Sequence, residues 1–160
     1  MDHVNLGKTG LKVSRICLGC LSYGAPATGK AKPGSHAWAL NEEESEPFFR
    51  QAIDLGINFF DTANVYSGGA SEEVLGRFLK ANIRREAVVI ATKVHGVMRD
   101  EPNGRGLSRK AIFYELDQSL RRCLPKTPSG FQRFLQRPCN NVTCTCLPKF
   151  ATTELRSGCC

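Results

Sequence analysis

A carboxylate, a phenol and an ammonium stand at the ends of two successive β-prone runs. Asp61 and Tyr66 follow Ile57-Asn58-Phe59-Phe60, and Lys93 closes Ala87-Val88-Val89-Ile90-Ala91-Thr92. Each alone has an ordinary structural reading: an Asp leaving a strand turns or caps, a Tyr in a loop packs, a Lys ending a strand meets solvent. Together on one rim they can move a proton. A phenol with a reference pKa of about 10 is a poor acid near neutrality, and a neighbouring ammonium helps by stabilising its phenolate. An aspartate paired with that ammonium holds its charge and position. Such a group can protonate the alkoxide that forms when a carbonyl is reduced, while the hydride itself has to come from a cofactor.

The elements that must position these residues follow from local pattern. Gly56 closes a helix as its left-handed residue, and the apolar run after it is a buried strand that delivers Asp61 to its C-terminal rim, the edge where parallel α/β folds place their chemistry. Ser71 reads as the cap of the next helix, with Glu72 and Glu73 at its positive end and Val74, Leu75, Phe78 and Leu79 on one apolar face. Residues 87–93 are a near-continuous apolar strand of the kind covered on both faces.

Upstream, residues 3–20 alternate polar and apolar positions around Gly7-Lys8-Thr9-Gly10, a β-hairpin pattern, and Ile16-Cys17-Leu18-Gly19-Cys20 forms a strand. A long loop, 21–41, carries Tyr23, His36 and Trp38, which either line a substrate pocket or fasten the loop down. A helix spans 42–55 with Phe49, Ala52 and Ile53 inward. Asn41 and Glu44 resemble a capping box, but Pro47 favours a start nearer Ser45. After Lys93, residues 94–107 form a second rim loop with His95 at its root as a loop or pocket residue. Ser108 caps a third helix, Leu107 can staple to Ile112, and Ile112, Phe113, Leu116 and Leu120 make its inward face, with Arg121 and Arg122 at its negative end.

These residues resemble the aldo-keto reductases, in particular the branch of aryl-alcohol dehydrogenase-like and potassium-channel β-subunit-like proteins. The resemblance covers about residues 4–122. It rests on Leu6-Gly7-Lys8-Thr9-Gly10-Leu11-Lys12-Val13-Ser14, on Leu18-Gly19, on residues 56–76, on Ala91-Thr92-Lys93 and on residues 108–122. It implies an α/β fold, the N-terminal part of a (β/α)8 TIM barrel, made of a β-hairpin plugging the barrel's bottom and three βα units. It implies Asp61, Tyr66 and Lys93 as three of the family's four catalytic positions, with no counterpart to the fourth, a histidine; His95 does not match that position. It also implies NADPH as hydride donor, with Asp61 touching it and most contacts coming from a second half of the barrel absent here. Tyr23, Trp38 and His95 are then the candidate substrate-pocket residues. The chemistry implied is reduction of aldehydes or ketones to alcohols, impaired in this chain; the alternative is a catalytically inactive fragment or a non-enzymatic interaction subunit.

Composition bounds this reading. At 160 residues the chain is shorter than the ~200 residues at which complete barrels of this kind begin. The formal charge of +7 is uneven: residues 1–122 hold 17 basic and 14 acidic side chains, and 123–160 hold 5 and 1. No dense Lys/Arg stripe with interleaved aromatics is present, so nucleic acid is not the expected partner. The N-terminus lacks a secretory pattern and no apolar run reaches spanning length, so a cytoplasmic location with no membrane partner is expected. No G-x-G-x-x-G opens a βα unit, so a Rossmann site is not indicated, and Ser67-Gly68-Gly69 reads as a tight turn.

Beyond Arg122 the pattern changes. Where a barrel needs a fourth strand, Cys123-Leu124-Pro125-Lys126-Thr127-Pro128 follows, and six of the eight cysteines lie in 123–160. That segment reads as a Cys/Pro-rich tail of unrelated sequence, irregular or disordered. It offers no convincing strand, and at most a helical turn or two around Phe131, Phe134 and Leu135. A shifted reading frame, a retained intron or a wrongly drawn gene end would produce such a change. Cys144, Cys146, Cys159 and Cys160 do not have zinc-ligand spacing, so no metal is expected, and Asn141-Val142-Thr143 reads as an accidental glycosylation match. With half a barrel missing, the strand at 87–93 is expected to be an open edge or one covered only by an unsuited tail, prone to self-association. NADPH binding is expected to be weak or absent.

Overall fold

In a computed structural model of the chain, residues 1–26, 34–124 and the backbone of 142–144 are described. The N-terminal hairpin is present: β1 (His3–Asn5) runs antiparallel to β2 (Lys12–Ser14), with Val4 opposite Val13. Its turn is held by Thr9, whose hydroxyl donates to the Leu6 carbonyl at 2.7 Å. The hairpin docks through Asn58, just before the second strand of the main sheet. The Ser14 N–H donates to Asn58 Oδ1 at 2.7 Å and the Asn58 N–H donates to Ser14 Oγ at 3.2 Å. It therefore sits at the N-terminal end of that sheet, opposite the rim that carries Asp61.

The main sheet has four parallel strands in the order β3 (Leu18–Gly19), β4 (Phe59–Asp61), β5 (Val89–Thr92) and β6 (Val142–Cys144). Helices α1 (Glu42–Asp54), α2 (Ala70–Asn82) and α3 (Arg109–Cys123) lie between successive strands in the chain. Among the described residues the sheet is open, with β3 and β6 at its edges, and is not closed into a barrel. Strand β6 corrects the expectation that the tail holds no strand. Val142 and Thr143 are β-branched, and they lie alongside Ile90 and Ala91. The edge at β5 is thus paired, not open. The remaining expectations for 125–160, including disorder and the tail's cysteines, fall outside the described residues.

Register places the chemistry. Phe60 lies beside Ile90 and Asp61 beside Ala91. Because alternate strand residues face opposite sides, Phe60 and Ile90 look toward the helices while Asp61 and Ala91 share the other face. Phe60, Ile90 and Val88 pack with Phe49, Leu75, Phe78 and Leu79 of α1 and α2 in one apolar cluster. Full burial of each such side chain is worth about 1.5–3 kcal/mol, and this cluster fixes α1 and α2 against the sheet.

Two helix readings change. Helix α1 starts at Glu42, not near Ser45: Asn41 Oδ1 accepts from the Glu44 N–H at 3.0 Å and Glu44 Oε2 accepts from the Asn41 N–H at 3.0 Å, a complete capping box. That box outweighs Pro47, which sits inside the helix and forgoes one hydrogen bond. At the other end, Gly56 has a φ of 79°, its N–H donates to Ile53 and that of Ile57 to Ala52, so the helix ends as read. In α3, Ser108 caps as read by accepting from the Ala111 N–H. Its buried stripe, however, is Ala111, Glu115, Ser119 and Cys123, while Ile112, Leu116 and Leu120 are half-buried and Phe113 is exposed. The small residues let α3 lie close on α2, and the apolar row beside them is left without a full cover.

Candidate active site

The rim beyond β4 and β5 brings Asp61, Tyr66 and Lys93 together. The Lys93 Nζ forms an ion pair with Asp61 Oδ1, donates to the Thr62 carbonyl at 2.8 Å and lies 3.3 Å from the Tyr66 hydroxyl. It also stands 5.0 Å from the centroid of the Tyr66 ring. Burial of the ammonium works against its charge, but the hydrogen bond and charge of Asp61, helped by Tyr66, win, and its pKa is raised above the ordinary lysine value. Lys93 is therefore a fixed cation. Because the phenolic oxygen accepts from Nζ, its own proton is free to be given elsewhere. This is an arrangement able to deliver a proton to an oxygen at the rim.

The backbone that presents Tyr66 is unusual. Residues 66–69 form a 3₁₀ turn in which Ser67, Gly68 and Gly69 have φ of 50°, 61° and 101°. Ser67 takes this left-handed geometry without being glycine, and it is buried. The turn is gripped from the long loop: the Ser67 N–H donates to the Gly34 carbonyl at 2.9 Å. The base of that loop is pinched by a bridge between Tyr23 and Leu40.

The three proposed pocket residues are dispersed. Tyr23 is core: it is buried and its ring meets Phe49 edge-on at 4.7 Å, which removes it from any pocket wall. Burial also raises its pKa. Trp38 is 56% exposed and stacks on His36 at 4.5 Å with 9° between planes, as an outer pair. His95 is exposed with a φ of 148°, and its carbonyl accepts from the Gly106 N–H, which closes the rim loop. Cys17 is a half-buried thiol pushed up to about 11 by burial, with Asp61 adding to the rise and Lys93 opposing it.

Several residues around the site were misread or missed in the sequence. Ser71 is not a cap; it lies within α2, fully buried, donating to the Cys20 carbonyl at 2.7 Å and bonded to Thr62 Oγ1 at 3.0 Å. Glu72 lies in the first turn of α2 as read, but out of solvent. It is fully buried, accepting from Thr92 Oγ1 at 2.6 Å and from Arg122 Nε at 2.6 Å. Glu115, buried on α3, accepts from Asn64 Nδ2 at 3.2 Å and lies 3.5 Å from Arg99 Nη2. Asn64 Oδ1 and Ser67 Oγ are buried with no partner among the described residues. An acid in a helix's first turn normally serves the dipole, so no sequence signal separates Glu72 from Glu73; the later Arg122 is its only textual hint.

Lys93 is engaged by Asp61, Thr62 and Tyr66, and Arg99 by Glu101 and Glu115. Two recesses, of about 590 and 440 Å³, lie elsewhere: one is lined by Leu79, Ile83, Val88, Ile90 and Leu124, the other by Glu42, Phe49 and Arg77. Among the described residues Cys17, Cys20 and Cys123 are free thiols, and no cluster of three or more His, Cys, Asp or Glu is placed to hold a metal. Among them too, no helix is long and apolar enough to cross a membrane.

Residues 21–127 match the model of the aldo/keto reductase family. The chain is 41% identical over 140 residues to versiconal hemiacetal acetate reductase of Aspergillus parasiticus, covering 76% of this chain and 39% of that protein. It is 39% identical over 145 residues to the aldo-keto reductase dtxS3 of Metarhizium robertsii, covering 76% and 37%. Among solved structures, the holo form of aldo-keto reductase AKR11C1 from Bacillus halodurans matches with a TM-score of 0.60 at 30% identity, covering 77% of this chain and 36% of that one. A thermostable aldo-keto reductase in complex with the inhibitor epalrestat matches with a TM-score of 0.57 at 27% identity, covering 77% and 39%. The chain thus spans under two fifths of the length of these relatives.

Proposed function

Because the chain belongs to the aldo/keto reductase family, we propose that it carries the proton-delivering part of an NADPH-dependent reductase of aldehydes or ketones. The observation that carries this reading is the contact of one buried-edge ammonium, Lys93 Nζ, with both Asp61 and Tyr66. In this reading Tyr66 gives its proton to the carbonyl oxygen as negative charge develops there. Lys93 stabilises the phenolate left behind, and Asp61 holds Lys93 charged and in place. NADPH would supply the hydride, and Asp61 would touch it. Lys93 and Arg99 are already engaged by carboxylates, so in this reading the chain alone binds NADPH weakly and acts as an impaired catalyst. His95 and the Trp38–His36 pair would border the approach of a small carbonyl substrate.

The competing reading, a catalytically inactive fragment or an interaction subunit, draws on the sheet, which among the described residues is open and not closed into a barrel. Oxidation of NADPH by the purified chain with a panel of aromatic and aliphatic aldehydes separates the two. Slow turnover that Tyr66→Phe lowers by about 10²-fold or more is expected from the loss of a general acid. Equal turnover in that variant would exclude Tyr66 as the acid, and no turnover by the parent at high NADPH would favour the non-enzymatic reading.

A further inference from the structure

The two site residues at the ends of β4 and β5 are each followed or preceded by a threonine, and both threonines are tied to one turn of α2. Thr62 follows Asp61 and is bonded through Oγ1 to Ser71 Oγ at 3.0 Å, while Thr92 precedes Lys93 and donates through Oγ1 to Glu72 Oε1 at 2.6 Å. All four of these side chains are fully buried. Strand alternation explains the arrangement: Asp61 and Lys93 face the open side of the sheet, and Thr62 and Thr92 face the helices. The two faces are linked in both directions, because the Thr62 carbonyl is itself a partner of Lys93 Nζ at 2.8 Å.

Glu72 is in turn fixed from α3. Arg122 Nε donates to Glu72 Oε2 at 2.6 Å, Arg122 Nη2 donates to Ser119 Oγ at 3.4 Å, and the Arg122 side chain borders the space that a Cβ on Gly69 would take. A buried carboxylate with two charge-assisted or hydroxyl donors, one per oxygen, has little freedom. The same few residues therefore join α2, α3 and the ends of β4 and β5.

We propose that Ser71, Glu72, Thr92 and Arg122 form a positioning clamp: through Thr62 and Thr92 it sets the separation of Asp61 and Lys93, and so the placement of the ammonium against Tyr66. This rests on the reading of Asp61, Tyr66 and Lys93 given above, but it predicts a property of Lys93 that needs neither cofactor nor substrate. The groups facing Nζ are Asp61, Tyr66 and the Thr62 carbonyl, with the Cys17 thiol close enough to feel its charge. A looser clamp lets the ammonium move from Asp61 and makes the neutral, reactive amine more accessible.

The test is trace acetylation of the full 160-residue chain with acetic anhydride across pH 7–11, read at Lys93 by mass spectrometry, with exposed Lys110 as internal standard. Thr92→Val keeps the shape of the side chain and removes its hydroxyl. It is expected to raise Lys93 acetylation at a given pH by about threefold, a half-unit displacement of its pH profile, with Thr92→Ser restoring the parent profile. A clamp that only holds α2 to the sheet would lower the melting temperature and leave the Lys93 profile unmoved, and that result would overturn the proposal. If Thr92→Val gives no cooperative transition, Ser71→Ala carries the same expectation through Thr62, and an unmoved Lys93 profile there would likewise overturn it. The Tyr66→Phe assay decides the functional reading separately, so the two can fail independently.

Discussion

Lys93 sits between two opposing influences, and one substitution separates them. Burial pushes its pKa down, whereas the hydrogen bond and charge of Asp61, with Tyr66, push it up and prevail. Whatever stability this ion pair adds is fully present below the ordinary lysine value of 10.5 and is lost as pH rises through the higher folded value. Asp61→Asn removes the main raising influence and keeps the burial, so the Lys93 pKa is expected to fall below its ordinary value. The pH dependence of Lys93 acetylation measures this; a profile unchanged from the parent would show that Asp61 does not hold the ammonium. At this scale the sequence was partly legible. Asp61 and Lys93 announce themselves because each ends an apolar run, and strand ends can be read from hydrophobicity. Glu72 and Thr92 do not, because a glutamate in a helix's first turn looks alike in text whether it faces water or, as here, a buried threonine and arginine.

Helix ends were legible where one local signal stands alone and misread where two compete. The Gly56 ending of α1 and the Ser108 cap of α3 follow from local chemistry, whereas Pro47 drew the start of α1 toward Ser45 although the Asn41–Glu44 box sets it at Glu42. Asn41→Ala should lower stability by about 1 kcal/mol, measured by denaturant unfolding. The inward face of α3 was misjudged because apolarity alone pointed to Ile112, Phe113, Leu116 and Leu120, while the close approach of α3 to α2 is made by small residues. Gly76 shows why: a Cβ there would lie 2.6 Å from the Arg122 carbonyl oxygen and 2.7 Å from that of Cys123. Gly76→Ala should therefore force the helices apart, lower stability by about 1–3 kcal/mol and disturb the Arg122–Glu72 pair, so that the Lys93 acetylation profile moves with it. A variant as stable as the parent would contradict this account of the contact.

At the scale of the whole molecule, the Asp61–Lys93–Tyr66 cluster and the apolar surface bear on one question, whether the chain acts alone. The cluster is assembled from residues 61–93, and two rim cations, Lys93 and Arg99, are already paired with carboxylates. The apolar row Ile112, Leu116 and Leu120 is only half-buried, Phe113 is exposed, and a recess of about 590 Å³ opens between Leu79, Ile83, Val88 and Leu124. Apolar surface of this kind favours association, so sedimentation of the purified chain is expected to show concentration-dependent self-association; a monomer at every concentration would count against it. The parallel order of β3, β4 and β5 was legible from the repeated strand, loop and helix pattern, whereas β6 was not, because a three-residue strand in a segment of mixed composition has no periodicity to read. The proposal made here is that this chain carries Tyr66 as the acid of a carbonyl reductase and holds the hydride donor weakly. Isothermal titration of the purified chain with NADPH tests it most directly. Binding weaker than the micromolar range, with a Kd well above about 1 µM, is predicted; binding at about 1 µM or tighter, accompanied by a cooperative thermal unfolding transition, would contradict it.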